Sequence, residues 1–586
     1  MMSSLVQNLR RQLIRQLRKV PQIDARLLAA RRRALARGAG YPDWPGLIAQ
    51  DTGEWAQAHA ATKGKRVLVA TSIGSHLPAM QMESALAAAL TLRDAQVEVL
   101  LCDAVLPGCQ MCEPRLFPDS RDFAEHGPQQ RLCGDCYGPG RRVYEALGVA
   151  VHRYSDTITP EERAEAARMA RTLPRHEIEH FTHDGLALGE HAKAGALRFF
   201  ARAEIDDEPH ADAVLRRYLE AALLTAFSVR RLLATGRYDV AVFHHGIYVP
   251  QGIIGEVARA EGVRVVNWNP AYRRHCFLFS HGDTYHHTLM TEPTDTWETI
   301  PWPPSRRGRI VDYLHSRWQG DNDWIKFHSD PEFATDRILA EIGCDPDRPI
   351  IGCLTNVMWD AQLHYPANAF DNMLQWLLHT VHYFAGRPDL QLVIRVHPAE
   401  LSGSVPTRQP VVAELQRHFG TLPANVFVVG PESKVSTYVL SSLCDTVIIY
   451  GTKTGVELTA AGIPVIVAGE AWIRGKGITR DAVTITDYDV ALDALPVGER
   501  LPVDTVERAL RYADHFFFRR MIPFGIFAQG PGWPPFVVDV GSMADLAPGR
   551  DPGLDCVCSG ILDGTPFVFD DAMIEPPVDA PVGARA

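Results

Sequence analysis

The apolar positions fall into two successive series of short runs separated by longer amphipathic stretches. Arg66 to Ile73 reads as a buried strand, Gly74-Ser75-His76 as a turn, Met80 to Leu92 as a helix and Val97 to Cys102 as a second strand, a βαβ opening. A cysteine-rich region and a polar, Arg/Glu-rich helical stretch from about Pro160 to Leu233 follow, and then strands at 238–244 and 263–268 flank a helix at 251–261. The Pro- and Trp-rich run from Pro301 to Arg309 reads as a surface connection. The second series has strands at 349–354, 390–396, 426–429, 446–450 and 464–468, with helices at 370–384 and 455–461. Two such series predict an α/β protein of two doubly wound domains facing each other across a cleft.

With 586 residues, the chain exceeds what one hydrophobic core serves, which supports the division. The boundaries predicted are a basic segment over 1–60, a first domain over 61–300, a connection over 301–345, a second domain over 346–500, and a C-terminal helix with a disordered tail over 501–586. The first domain carries two insertions, a four-cysteine module at 102–140 and a helical one at 158–235. The net charge of −11 argues against a general nucleic-acid binder. It is unevenly spread: residues 1–40 carry ten Arg or Lys and one acid, a net of +9, so the other 546 carry −20. On a helix over residues 5–20, Leu5, Val6, Leu9, Leu13, Leu17 and Val20 share one arc among basic residues, which suits either an anionic inner-membrane surface or this protein's own acidic body. No apolar run is long enough to span a membrane and no secretory signal is legible, so a cytoplasmic enzyme, peripheral on the inner membrane if the basic helix docks there, is expected.

Three constellations could carry chemistry. Cys109-x-x-Cys112, twenty residues, then Cys133-x-x-Cys136 has the spacing of a closed four-thiolate site, zinc by default with an iron–sulfur cluster as the alternative. Gly451-Thr452-Lys453-Thr454-Gly455-Val456-Glu457 links a strand to a helix, offering backbone N–H groups, two hydroxyls and a lysine to a phosphate. Thr454 and Glu457 are also spaced as a capping box, which would fix the helix start with no ligand. Arg395 and His397 share a strand face that Pro398 ends, at the carboxyl edge where open α/β sheets bind ligands.

Arg395-x-His397-Pro398, followed by the Thr452 loop, Glu457, the run Ala461-Gly462-Ile463-Pro464-Val465 and then Gly477-Ile478-Thr479, resembles the donor half of GT-B glycosyltransferases, specifically the capsule polysaccharide biosynthesis family that includes bacterial Kdo transferases. The resemblance is clear over about 345–485. It implies a GT-B-like pair of Rossmann-like domains and a sugar transferred from a cytidine-activated nucleotide donor to a surface polysaccharide, capsule or lipid-linked glycan. His397, Thr452 and Thr454 stand where the family holds the donor phosphate. The chain has Thr452-Lys453-Thr454 where many relatives have a Ser-Ser pair, and the lysine would suit a diphosphate equally. Asn356 would frame the donor sugar. The base that activates the acceptor hydroxyl is sought among His76, His244, His245 and Asp360, with the Asp283 to His287 segment as a further source. No Asp-x-Asp site for a divalent ion is evident, so metal-independent transfer is expected. The same fold could instead transfer polyol phosphate from a CDP donor or epimerise a sugar nucleotide, and a non-catalytic nucleotide-sugar-binding or assembly component is the third reading.

Overall fold

The computed structural model describes residues 30, 34, 40–319, 323, 324, 334–360, 363–403, 405–530 and 532–569. The basic segment at 5–20 and the tail beyond 569 lie outside these residues.

Seven strands form the first sheet. They are β1 (Arg66–Ser72), β2 (Gln96–Leu101), β3 (Ala150–Arg153), β4 (Val240–His244), β5 (Arg264–Pro270), β6 (Cys276–His281) and a two-residue strand at Ile522–Pro523. Their spatial order is β3-β2-β1-β4-β5-β6 followed by Ile522–Pro523. The first five strands run parallel; β6 and Ile522–Pro523 add antiparallel at one edge. The period of two sorts β1 between both faces: Val67 and Val69 join one core and Leu68 and Ala70 the other. On the Val67 face lies the buried helix α1 (Leu77–Thr91). On the Leu68 face lie α2 (Gly189–Phe200), the 26-residue α3 (Ala211–Gly236) and α4 (Gln251–Ala260).

The second sheet comprises β7 (Ile350–Leu354), β8 (Gln391–Arg395), β9 (Val426–Val429), β10 (Thr446–Ile449), β11 (Val465–Val467) and β12 (Arg480–Asp481). All are parallel in the order β9-β8-β7-β10-β11-β12. In each sheet the chain works outward from its first strand and then restarts on the other side of it, so the order reverses between β1 and β4 and between β7 and β10. Ligand crevices of open α/β sheets form at such reversals, beyond the carboxyl ends of the strands.

Two expectations about connections change. The stretch expected as a surface link contains the helix α5 (Pro304–Gln319), whose Ile310, Tyr313 and Leu314 are buried in the second domain's core beside α8 (Val503–Asp514). The C-terminal region is more than a helix and tail. After α8 the chain passes through a π-helical turn at His515–Arg520, pairs Ile522–Pro523 with β6 of the first domain, and ends its described course in α9 (Pro552–Asp563). Phe524, Phe527, Phe536, Val557 and Ile561 are buried there in the α1-side core. The first domain therefore closes only when the last part of the chain returns to it.

Candidate functional site

Both sheet reversals open toward one inter-domain cleft. On the first domain, β1 ends in Ser72 with φ +58° and β4 runs into His245 with φ +66°, both in the left-handed region that non-glycine residues avoid. The chain leaves each strand sharply, and side chains that a strand would have buried are presented at its end. His76 and His244 bring their rings to 4.8 Å across the reversal, and His245 lies 5.4 Å from His244. His244 is largely enclosed, with Nε2 3.0 Å from Asn269 Oδ1. His76 meets the Gln110 amide at 3.3 Å.

Burial holds these imidazoles neutral. It brings His76 down to about 3, with the Arg198 charge acting the same way. His245 falls to about 4, burial and Arg198 lowering it while Asp360 pulls the other way. His244 lies well below its usual range for the same main cause. His286 is brought down to about 3 by burial, with His245 adding to it.

On the second domain, Thr355 and Asn356 follow β7 and the hydroxyl loop follows β10. Asn356 grips Gly451 twice, its amide N–H donating to the carbonyl at 3.1 Å and its oxygen accepting from the backbone N–H at 3.4 Å. Asn356 thus holds the loop in place. Thr452 and Thr454 hydroxyls lie 3.1 Å apart, and the Thr454 N–H donates to Thr452 Oγ1. The expected capping box is absent: α7 (Thr454–Ala460) starts after Lys453 with no side-chain cap. Glu457 is drawn away to Lys453 Nζ at 2.5 Å, Arg317 Nε at 3.0 Å and the Tyr438 hydroxyl at 2.5 Å. Burial alone would raise the Glu457 carboxyl, but Arg317 and Lys453 bring it to about 2. Lys453 also sits 4.7 Å from the Tyr272 ring centre. Its charge is therefore paired with Glu457 within the fold.

Arg395 is likewise engaged by the fold. It is 2% exposed and donates to the carbonyls of Val396, Gly430 and Ser433, so it fastens the turn after β9. His397 stands half-buried at the β8 end, its backbone N–H on Thr355 Oγ1 and its Nδ1 accepting from the Ala399 N–H. That fixes the ring's rotation and commits Nδ1 as an acceptor. Pro398 opens the short helix Ala399–Ser402.

The walls meet through Asp360 and the Asp283 to His287 segment, both expected, and through Tyr248, Tyr365, Arg198, Trp472 and Glu470, which the sequence reading did not single out. The Tyr248 hydroxyl donates to Asp360 Oδ1 at 2.9 Å and Thr284 meets the Tyr365 hydroxyl at 2.7 Å, each bond joining the two domains. Arg198, on α2, lies 5.5 Å from the Tyr248 ring and 5.9 Å from Trp359. Tyr285, His286 and Trp472 form a continuous aromatic surface with ring centres 4.2 and 5.4 Å apart. Glu470, just past β11, has a buried Oε2 with no hydrogen-bond partner, and burial with the nearby charges of Asp360 and Asp283 keeps its carboxyl well above the usual range. The Val-Ile-Val-Ala-Gly-Glu run that ends a strand at the cleft was the available signal for Glu470.

The four cysteines border this site, with Cys109 and Cys112 sulfurs 4.0 Å apart. Among the described residues no group of three or more His, Cys, Asp or Glu side chains is gathered so as to hold a metal ion, and none of their helices is long and apolar enough to cross a membrane.

Among curated protein sequences no relative matches. Solved structures with some likeness include KpsC beta Kdo 2,4 transferase from Thermosulfurimonas dismutans, 13% identical over 47% of this chain and 79% of that one, with a TM-score of 0.32. The spinosyn rhamnosyltransferase SpnG is 14% identical over 77% and 96%, with a TM-score of 0.23. A UDP-GlcNAc 2-epimerase from Neisseria meningitidis is 10% identical over 76% and 94%, with a TM-score of 0.22. Residues 345–490, which carry β7 to β12, His397 and the hydroxyl loop, match the family model described as capsule polysaccharide biosynthesis protein.

Proposed function

We propose that the protein is a GT-B-type glycosyltransferase of capsule or related surface-polysaccharide synthesis, moving a sugar from a nucleotide-activated donor to a glycan acceptor. One observation carries this reading: the sheet reversals of both domains, one lined by histidines and the other by a hydroxyl loop, open on a single cleft bridged by the Tyr248–Asp360 bond. The family match over the second domain supports placing the donor there.

In this reading the donor phosphate lies between His397 and the loop, receiving the Thr452 and Thr454 hydroxyls and backbone N–H groups. Asn356 keeps those donors fixed, so they are already oriented when charge develops on the leaving phosphate. The acceptor hydroxyl approaches from the first domain. His245, neutral above about pH 4, accepts its proton, and the exposed Asp360 carboxylate favours the imidazolium that forms. The acceptor oxygen bonds to the anomeric carbon as the bond to the donor phosphate breaks. His76 and His244 line the floor behind His245. Tyr285, His286 and Trp472 offer an aromatic surface to a sugar ring.

Thermal unfolding in the presence of CMP, CDP, UDP and GDP tests the donor site, since a ligand of the folded state alone raises its stability. One nucleotide should raise Tm. His397→Ala should leave the ligand-free Tm within about 2 °C and remove both that rise and transfer, a loss of one stabilising donor being worth roughly 100-fold or more in rate. Unchanged transfer by His397→Ala, or no response to any nucleotide, would overturn the assignment.

A further inference from the structure

The cysteine-rich stretch between β2 and β3 plays no part in that chemistry, yet it is built against the same strand end. We propose that Cys109, Cys112, Cys133 and Cys136 bind one thiophilic metal ion, with zinc as the occupant, and that the ion locks the turn carrying His76.

The two pairs fold alike. The Cys112 N–H donates to the Cys109 carbonyl at 3.0 Å and the Cys136 N–H to the Cys133 carbonyl at 3.1 Å, so each C-x-x-C is the same tight turn. The first pair already has the right spread: its sulfurs are 4.0 Å apart, against about 3.8 Å for two sulfurs on one tetrahedral zinc with bonds of about 2.3 Å. Cys112 and Cys136 are buried, while Cys109 and Cys133 are half-buried and leave a path of entry. The strands of chain that carry the pairs are tied together, Gln129 donating to the carbonyls of Ala104 and Leu106 and Arg131 to that of Leu116.

Both turns bear on Gly74-Ser75-His76. A Cβ at Gly74 would stand 2.5 Å from the Cys136 carbonyl oxygen and 3.0 Å from Gly140 Cα, so the second turn presses directly on this backbone. Gln110, inside the first pair, reaches His76 at 3.3 Å; its N–H donates to the Val249 carbonyl at 3.0 Å and its carbonyl accepts from Arg198. Only the first pair stands at ligand separation and, among the described residues, no third ligand is gathered beside it, so binding requires Cys133 and Cys136 to close onto the first pair. Four S–H bonds give way to four sulfur–metal bonds, the four protons leaving to solvent, with no electron transfer. The filled site has no open position and is structural.

Elemental analysis of the purified full chain, produced with zinc and iron both supplied, should find one zinc per chain. Cys112→Ser and Cys133→Ser should each lower this at least fivefold, and Cys556→Ser, outside the set, should retain it. Cys133 is half-buried, and its variant's circular dichroism and Tm check that loss of metal is not loss of fold. Cobalt added to metal-stripped wild type should give the intense absorption of a tetrahedral thiolate complex, absent in Cys133→Ser. Iron bound with the same cysteine dependence also supports a thiophilic site at these residues and replaces zinc as its occupant. Metal-free protein with no cobalt spectrum, full metal in Cys133→Ser, or disulfides within either pair in non-reduced peptide maps would overturn the proposal. None of these readouts uses a transfer assay, so the metal site and the glycosyltransferase reading fail independently.

Discussion

His245 combines a left-handed backbone with a side chain that the cleft uses, and the two can be separated by mutation. Holding a non-glycine residue at φ +66° costs roughly 1 kcal/mol, which glycine does not incur. His245→Gly should therefore leave stability in denaturant unchanged or raise it by up to about 1 kcal/mol, while transfer falls at least 100-fold. A destabilised His245→Gly would mean that the ring, not the backbone, dominates at this position. The same enclosure makes a prediction about pH. His245 titrates near 4 and His286 near 3 in the fold, below the usual imidazole value, so below about pH 6.5 the unfolded chain takes up protons that the folded chain refuses. Stability contributed by these groups is present in full above that pH and is lost as pH falls through it toward the folded values, at up to about 1.4 kcal/mol per pH unit for each. Midpoints of urea unfolding between pH 7.5 and 5 should decline accordingly, and a flat profile would refute the burial argument. Sequence spacing found His76, His244, His245 and His397 because each sits just past an apolar run. It assigned Arg395 and Lys453 to a ligand for the same reason. The carbonyls of Gly430 and Ser433 that hold Arg395 come from distant chain that no local pattern reveals; Glu457 lies only four residues from Lys453, but Arg317, which shares that carboxylate, is again distant.

At the scale of elements, the fully buried parallel strands announced themselves as apolar runs. Of the sheet strands missed, three lacked that mark: β3 is an edge strand of half-exposed residues, β12 has two residues, and Ile522–Pro523 exists only through its partner β6; β6 itself was passed over although its Cys-Phe-Leu-Phe run is buried. The helix after the hydroxyl loop was expected at the right place, but its start is set by packing and not by a cap. A Cβ on Gly455 would lie 2.7 Å from Ile449 Cδ1 and 2.9 Å from Ile473 Cγ2, so α7 can approach its sheet only with glycine there. Gly455→Ala should cost about 1–3 kcal/mol, as overpacking does. Because the displaced turn carries Thr452 and Thr454, nucleotide affinity measured by calorimetry should also fall. Wild-type affinity in Gly455→Ala would separate the loop from donor binding.

For the molecule as a whole, two domains could be counted from the sequence, but their boundaries could not, because the chain does not finish one before starting the other. Residues after Arg520 complete the first domain with Phe524, Phe527, Phe536 and α9. Truncation after residue 520 should unfold the first domain cooperatively while the second, whose sheet is intact, retains its own transition; two calorimetric peaks becoming one would show this, and an unaltered first transition would contradict it. The chain thus passes between domains twice, and the two passes are fastened together. Glu292 on the outward pass holds Arg520 at 2.5 Å and His515 at 3.0 Å on the return, and Lys476 donates to the Met290 and Glu292 carbonyls beside them. Across the cleft the domains are tied again: besides Tyr248–Asp360, the Ala203 N–H donates to Gln409, the Arg408 N–H to the Ala201 carbonyl, Gln375 to Glu204, and His364 pairs with Glu179, while Ala201 packs with Trp359 and Val405. A body fastened at both edges resists rotation about either one. The histidine wall and the hydroxyl loop are accordingly held like the two jaws of a vice tightened on both sides, so the gap between them is set by the fold and not by the ligand that fills it.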